Sequence, residues 1–257
     1  MLARQRDQVI LRRLREAGTE SAQALAALLK VSSATIRRDL ERLEREGALA
    51  RIYGGAFLPQ TAGDGAESTE SPFDEVVDKD AADKDRVAAA AAALVEDGQA
   101  VLLDIGTTTM RIARELRGRP VTVITSSLAV LDALRSDTAT NLVLLGGSVR
   151  RNFQSLVGPL TQDALGNLKA DLLLLSCTGV YHDGSVVDDI SSEASVKRAM
   201  IAAAREVVLV APATKFPGSG SLRTCHLGDV DIVVTTAGAD ESALDHCRQG
   251  GGRVIMT

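Results

Sequence analysis

Through residues 4–46, apolar positions recur at helical spacing and then give way to a short alternating stretch. Val9, Ile10, Leu11 and Leu14 interrupt a run of charges ahead of Gly18, which predicts a first helix over 4–16. Ser21 is placed to cap a second helix, with Leu25, Leu28 and Leu29 as its buried stripe and Lys30 and Val31 closing it. Ser32 caps a third. Ile36, Leu40 and Leu43 stand at i, i+4 and i+7, so one face of residues 32–46 is expected inside, with Gly47 as the stop. LARIYGGAF then alternates around Gly54-Gly55, the pattern of a β-hairpin or wing. Two short helices, a tight turn between them and the second facing outward make a helix-turn-helix arrangement.

Residues 59–72 read PQTAGDGAESTESP, with nothing apolar larger than alanine and no periodicity, as expected of a linker. The chain is therefore expected to divide into a head over 1–57, a linker over 58–74 and a body over 75–257. In the body an alanine-rich helix is expected over 79–96. Continuous apolar runs follow at 100–104, 121–125, 142–145, 172–177, 207–211, 231–235 and 253–256. Such runs suit strands covered on both faces. Helical patterns at 108–116, 128–135, 161–168, 193–204 and 241–248 separate most of them. The expected fold is α/β: a small N-terminal winged helix-turn-helix and a larger, mostly parallel, helix-covered sheet.

Charge sharpens that division. Residues 1–57 carry eleven Lys and Arg against seven Asp and Glu, a balance of +4, while the remainder carries 18 against 27, a balance of −9. A basic head on an acidic body suits a protein whose head alone meets a polyanion, although ordinary surface variation gives the same balance. Aromatic residues make up only 2 % of the chain, so the core falls to Ala, Val, Leu and Ile. No apolar run approaches the ~18 residues of a membrane span. Cys177, Cys225 and Cys247 have no metal-like spacing. A cytoplasmic protein without structural disulfides, metal or cofactor is expected.

Two groups of residues carry candidate chemistry. In the opening turns of the third helix Ser33, Thr35, Arg37 and Arg38 are expected to be exposed. A helix N-terminus is partially positive and favours acids nearby. Arg37 can pair with Glu41, but Arg38 has Arg42 at i+4. A phosphate backbone or guanine edges would relieve that repulsion; a solvated face is the alternative. The second group lies at strand ends, where open sheets bind ligands. Asp104-Ile105-Gly106-Thr107-Thr108 offers a glycine turn and hydroxyls opening a helix. Thr125-Ser126-Ser127 ends the next strand, and Gly146-Gly147 the third, with Arg150 and Arg151 beyond. Gly179 follows the fourth strand and Lys215 the fifth. Neither Rossmann nor Walker glycine spacing occurs. Singly these are ordinary loops; together they suit a phosphorylated polyol.

The segment VSSATIRRDLERLEREGALARIYGGA, residues 31–56, resembles the winged helix-turn-helix of the DeoR family of sugar-metabolism regulators. The resemblance implies that Ser33, Thr35, Arg37 and Arg38 face the major groove. Arg51 and Tyr53 would lie on the wing near the backbone, with Ser32 and Gly54 completing the interface. The body resembles the same family's effector domain, similar in fold to ribose-5-phosphate isomerase. The resemblance rests on LLDIGTTT (102–109), VITSS (123–127), LLGGSVR (144–150), LVGP (156–159), CTGV (177–180), SSEASVKRAM (191–200) and APATKF (211–216). It implies phosphate contacts from Gly106, Thr107, Thr108, Ser126 and Ser127, and an effector contact from Lys215. Glu193 and Lys197, one helical turn apart and able to pair, fall where the isomerase-like fold keeps its acid-base groups. Asp104, Gly147, Arg150 and Gly179 complete the expected pocket. The chain departs from the family pattern at Ser126, Pro212 and Thr236, where an amide and two carboxylates are common. Three readings follow. One is a DNA-binding regulator, in the family's manner a repressor, that meets a double-stranded operator as a homodimer or homotetramer and answers to a small phosphorylated metabolite. Another is a sugar-phosphate isomerase with an added head, although the isomerase's Asp-Gly-Ala-Asp segment is absent. The last is a regulator whose body only oligomerises.

Overall fold

The computed structural model describes residues 3–17, 19–45, 48–52, 54–57 and 72–257. Gly18, Glu46, Gly47, Tyr53 and residues 58–71 lie outside the described residues, and with them the roles expected of the two helix stops, of Tyr53 on the wing and of most of the linker.

The head is built from α1 (Ala3–Ala17), β1 (Thr19–Ser21), α2 (Ala22–Leu29), α3 (Ser33–Arg45), β2 (Ala50–Ile52) and β3 (Gly55–Phe57). Ser21 caps α2, its hydroxyl accepting from Ala24 N at 3.0 Å. Ser32 caps α3, accepting from Thr35 N at 3.2 Å, while its hydroxyl and that of Thr35 share a 2.9 Å bond. The β2–β3 hairpin turns at Gly54, whose φ of +84° suits glycine. β3 also pairs with β1, making a three-stranded sheet in the order β1-β3-β2. Ile10, Leu14, Leu25, Ile36, Leu40, Leu43 and Leu49 form one core. Leu28 departs from the expected stripe. It is 50 % exposed, because α2 turns Leu25 and Ala26 inward instead.

The body opens with α4 (Phe73–Val76), which includes residues 73 and 74 of the expected linker. Phe73 is buried edge-on against Phe153, with ring centroids 5.7 Å apart, and its N–H donates to Asn152 O at 3.0 Å. Then come α5 (Ala81–Ala92), β4 (Ala100–Leu103), α6 (Thr107–Glu115), β5 (Thr122–Thr125), α7 (Leu128–Leu134) and β6 (Asn141–Leu144). A hairpin of β7 (Ser148–Arg150) and β8 (Ser155–Val157) leads to α8 (Pro159–Gly166) and β9 (Ala170–Leu175). The remainder is β10 (Gly179–Val180), β11 (Ser185–Asp188), α9 (Ser191–Ala203), β12 (Ala204–Val210), β13 (Leu222–His226), β14 (Ile232–Thr235), α10 (Glu241–Gln249) and β15 (Arg253–Met256).

All seven expected strands enter one parallel sheet, in the order β15-β14-β12-β9-β4-β5-β6. Side chains alternate across it, so each apolar run supplies two cores. Leu172 and Leu174 pack with Val87, Ala88 and Ala91 of α5, Ile112 of α6 and Val130 of α7. Leu173 and Leu175 pack on the other face with Leu165 of α8, Val196 and Met200 of α9 and Leu244 of α10. Two-sided cover fails at the β6 edge, where Val143 and Leu144 remain exposed. A smaller antiparallel sheet, β10-β11-β13, was absent from the sequence reading.

The strand order places the site. From β4 the chain builds outward through β5 and β6; from β9 it builds the other way through β12, β14 and β15. Between adjacent β4 and β9 the direction of winding reverses. The carboxyl ends of such a pair flank a crevice between divergent loops.

Candidate functional site

In the head, Arg37 and Arg38 are exposed on α3 and have no side-chain hydrogen bond or ion pair among the described residues. The expected partner of Arg37 is engaged elsewhere: Glu41 pairs with Arg51 of the wing at 3.1 Å, and Glu44 accepts from Arg51 N at 3.0 Å. That arrangement clamps the wing to α3. Asp39, inside the same R-R-D-L run, is buried and takes Arg6 of α1 at 2.8 Å, while Arg42 reaches Asp7 at 2.5 Å. The acids of α3 therefore serve internal contacts and leave its two leading arginines uncompensated. Ser33 and Thr35 are half-buried beside them, the Thr35 hydroxyl occupied with Ser32.

In the body a cavity of about 410 Å³ opens at the β4–β9 switch point. Its wall takes Gly106, Thr107 and Thr108 from the end of β4, and Ser176, Cys177 and Thr178 from the end of β9. Pro212, Thr214 and Lys215 come from beyond β12, and Lys79, Asp80 and Lys84 from the start of α5. Asp188, Asp189, Glu193 and Lys197 also line it. Gly106 has a φ of +116°, a conformation that lets the chain leave β4 and start α6 with no side chain over the helix N-terminus. Lys79, Lys84 and Lys215, with the already paired Lys197, thus share the cavity with a helix start, features favourable to an anion.

Part of the wall belongs to a fully paired charge cluster. Lys197 of α9 donates to Asp104, to Ser176 O and Ser176 Oγ at 3.0 Å each, and lies 3.3 Å from Asp188. Asp104 also accepts from Ser176 N and Oγ at 2.9 and 2.8 Å, tying β4 to β9. Burial penalises the Lys197 ammonium, but Asp104, Asp188 and Glu193 outweigh that penalty and hold it above the usual lysine range. Glu193 ion-pairs with Arg150 and accepts from Ser155 Oγ at 2.7 Å. Lys84 is the opposite case. It is buried, and burial together with Lys215 and Arg111 brings it down to about 8. Burial pushes the Cys177 thiol up to about 12, so it lines the cavity as an inert group.

Of the expected effector residues, the structure brings Gly106, Thr107, Thr108, Glu193, Lys197 and Lys215 to the cavity, with Asp104 and Arg150 directly behind through their ion pairs. It does not bring the other four to the wall. Ser127 caps α7 through Val130 N at 3.2 Å, and Ser126 is buried next to it. Gly147 lies where a Cβ would meet Thr161 Oγ1 at 2.3 Å, and Gly179 where one would meet Ser219 O at 2.3 Å; both are close-packing positions. Thr236 holds the 213–215 turn by accepting from Ala213 N at 2.9 Å. Carboxylates reach the cavity instead from Asp188 and Asp189 at the end of β11, which sequence reasoning missed with Lys79, Lys84 and Ser176. No local signal marked them, since a lysine in or beside an alanine-rich helix reads as a solvated charge.

Among the described residues no helix is long and apolar enough to cross a membrane, and no cluster of His, Cys, Asp and Glu could hold a metal. A winged helix-turn-helix joined to an α/β domain with a charged cavity defines a ligand-responsive DNA-binding protein. Residues 6–62 match the DeoR-like helix-turn-helix domain and residues 79–237 the DeoR C terminal sensor domain. The glycerol-3-phosphate regulon repressor of Haemophilus influenzae is 31 % identical over 90 % of this chain and 88 % of its own length. The HTH-type transcriptional repressor GlcR of Bacillus subtilis is 28 % identical over 96 % and 94 %. The chain belongs to the DeoR family of transcriptional regulators. Ribose 5-phosphate isomerase A from Neisseria gonorrhoeae overlaps 51 % of this chain and 52 % of its own at 14 % identity, with a TM-score of 0.36, a likeness too slight to support a shared activity.

Proposed function

We propose that this protein is a transcriptional repressor whose grip on a double-stranded operator is set by a phosphorylated metabolite bound at the β4–β9 switch point. The head, residues 1–57, reads the major groove with Ser33, Thr35, Arg37 and Arg38. Arg51, Tyr53 and Gly54 of the wing approach the backbone, and Ser32 fixes the helix start. Residues 58–74 connect it to the sensor, residues 75–257. The assembly is a homodimer or homotetramer, as two half-sites require. The observation that carries this reading is the meeting of Lys79, Lys84 and Lys215 with the open N-terminus of α6 in a cavity sized for a small ligand. Relatives named as transcriptional repressors, one of them of the glycerol-3-phosphate regulon, support the direction of control.

The ligand acts by binding one arrangement of the protein better than the other. The isomerase reading takes Glu193 as its base, whereas Glu193 is committed to Arg150 and Ser155, and Lys197 to two aspartates. The test is operator binding across a salt series with a panel of phosphate esters. Steeply salt-dependent binding that one ester releases is expected; specific binding that no ester alters would remove the sensing role. Lys215→Ala is expected to leave operator affinity intact and to shift the effective ester dose upward about tenfold or more, the worth of one charge-assisted hydrogen bond. An unchanged dose-response would take Lys215 out of the site.

A further inference from the structure

Lys84 is an ammonium with little to hold it. Only 7 % of the residue is exposed, and its sole hydrogen-bond acceptor among the described residues is Val76 O, at 2.6 Å. An ammonium carries three donors. No carboxylate forms an ion pair with it among the described residues. The charges that face it are Asp80 and Lys79 from the start of its own helix, Lys215 from the 213–215 turn and Arg111 from α6. The Arg111 charge is already answered by Asp85 at 2.5 Å and Asp78 at 3.8 Å. Deeper in the wall Asp104 and Asp188 are held by Lys197, and Glu193 by Arg150. Asp189 accepts from Ser219 Oγ at 3.2 Å. The neighbourhood of Lys84 is therefore short of negative charge, and it shares the cavity with the uncapped start of α6.

We propose that Lys84 is the residue that reads the ligand's dianion, and that it takes up a proton as the dianion enters, so that the cavity responds to a phosphate ester and to pH together. This rests on the cavity being the phosphate site. With no anion beside it, burial and the nearby cations hold Lys84 down to about 8, so near that pH half the molecules carry a neutral amine. A dianion within hydrogen-bond reach supplies the missing countercharge and favours the ammonium. Binding is then strongest below pH 8 and weakens as pH rises through it, by up to about tenfold per pH unit.

The test uses full-length protein carrying ¹³C-labelled lysine, with the Cε–Hε resonances followed from neutral to strongly alkaline pH. Sodium sulfate is the probe, because it stays dianionic throughout, and sodium chloride at equal ionic strength is the control. One lysine is expected to titrate near pH 8, to be missing from Lys84→Gln, and to move up by about one unit or more in sulfate but not in chloride. Lysines that all titrate in the ordinary range, or a low one that sulfate leaves in place, would overturn the proposal. Operator release by phosphate esters at pH 7 and pH 9 separates this from the broader reading. Equal release at both pH values overturns the proton coupling and leaves the phosphate site standing; no release at either overturns both.

Discussion

Alanine in place of Arg38 is expected to weaken operator binding by about tenfold to a hundredfold while leaving thermal unfolding unchanged. The loss follows from what α3 does with its charges. Its acids are spent internally, Asp39 on Arg6 and Glu41 on Arg51. Arg38 stands exposed in the opening turns with no partner among the described residues, close to a helix end that is itself partially positive. Nothing in the fold depends on it, so truncation falls in the class of surface changes worth about half a kcal/mol or less in stability. A guanidinium held there pairs with two acceptors on a guanine edge, a contact worth about 1–3 kcal/mol against the wrong base. Fluorescence anisotropy with operator and with unrelated DNA, over a salt series, distinguishes the modes of contact. A base contact costs affinity on the operator far more than on unrelated DNA; a phosphate contact costs both alike and lowers the salt slope by about one. Full affinity in the variant, with an unshifted melting curve, would take Arg38 out of the interface.

The sequence declared the strands of this protein but not their order, and the site depends on the order. Runs such as Leu172–Leu175 are apolar at every position because both faces are covered, and all seven runs were readable as strands, although the two edge strands, β6 and β15, are covered only in part. Nothing local says that β9 returns to lie beside β4, which brings Ser176 to Asp104 and opens the cavity there. For the same reason the hydroxyl loop at Ser126 and Ser127 looked equivalent to the one at Thr107 and Thr108. Only the loop beside the switch point lines the cavity, while the other caps a helix one strand away. Lys84 was hidden differently. In an alanine-rich helix a lysine reads as a solvated charge, and only the packing of α5 turns it inward. Asp188 and Asp189 escaped because the strand that delivers Asp188 has four residues in a sheet too small to announce itself. In the head, Glu41 stands at the right spacing for Arg37, yet the wing brings Arg51 to it instead; tertiary contact overrode local spacing.

Lys197→Met is expected to lower the melting temperature of the body by about 10 °C at neutral pH. The Lys197 ammonium is 2 % exposed and sits between two carboxylates that are themselves buried, Asp104 and Asp188. Methionine fills most of the volume but leaves two unpaired charges facing each other in the interior, and breaking a buried pair in this way costs about 3–5 kcal/mol. For a domain of this size each kcal/mol is worth about 2–4 °C. The pH dependence identifies the cause. In the wild type the Lys197 pKa is raised, so its contribution is fully present below the unfolded value of about 10.4 and is lost only as pH rises through the still higher folded value. In the variant two buried carboxylates face each other without their cation, so the deficit is largest where both are charged and shrinks where acid removes one of those charges. Melting curves of both proteins from pH 8 down to pH 4.5 should therefore converge. A deficit of the same size at every pH would assign the loss to packing alone, and no deficit would mean that the cluster does not tie α9 to β4 and β9. The same experiment bears on chemistry. A lysine whose removal costs stability in this pH-dependent manner is a permanent cation that fixes the geometry of the cavity, and the ends of β4 and β9 are held at a set distance for whatever ligand enters between them.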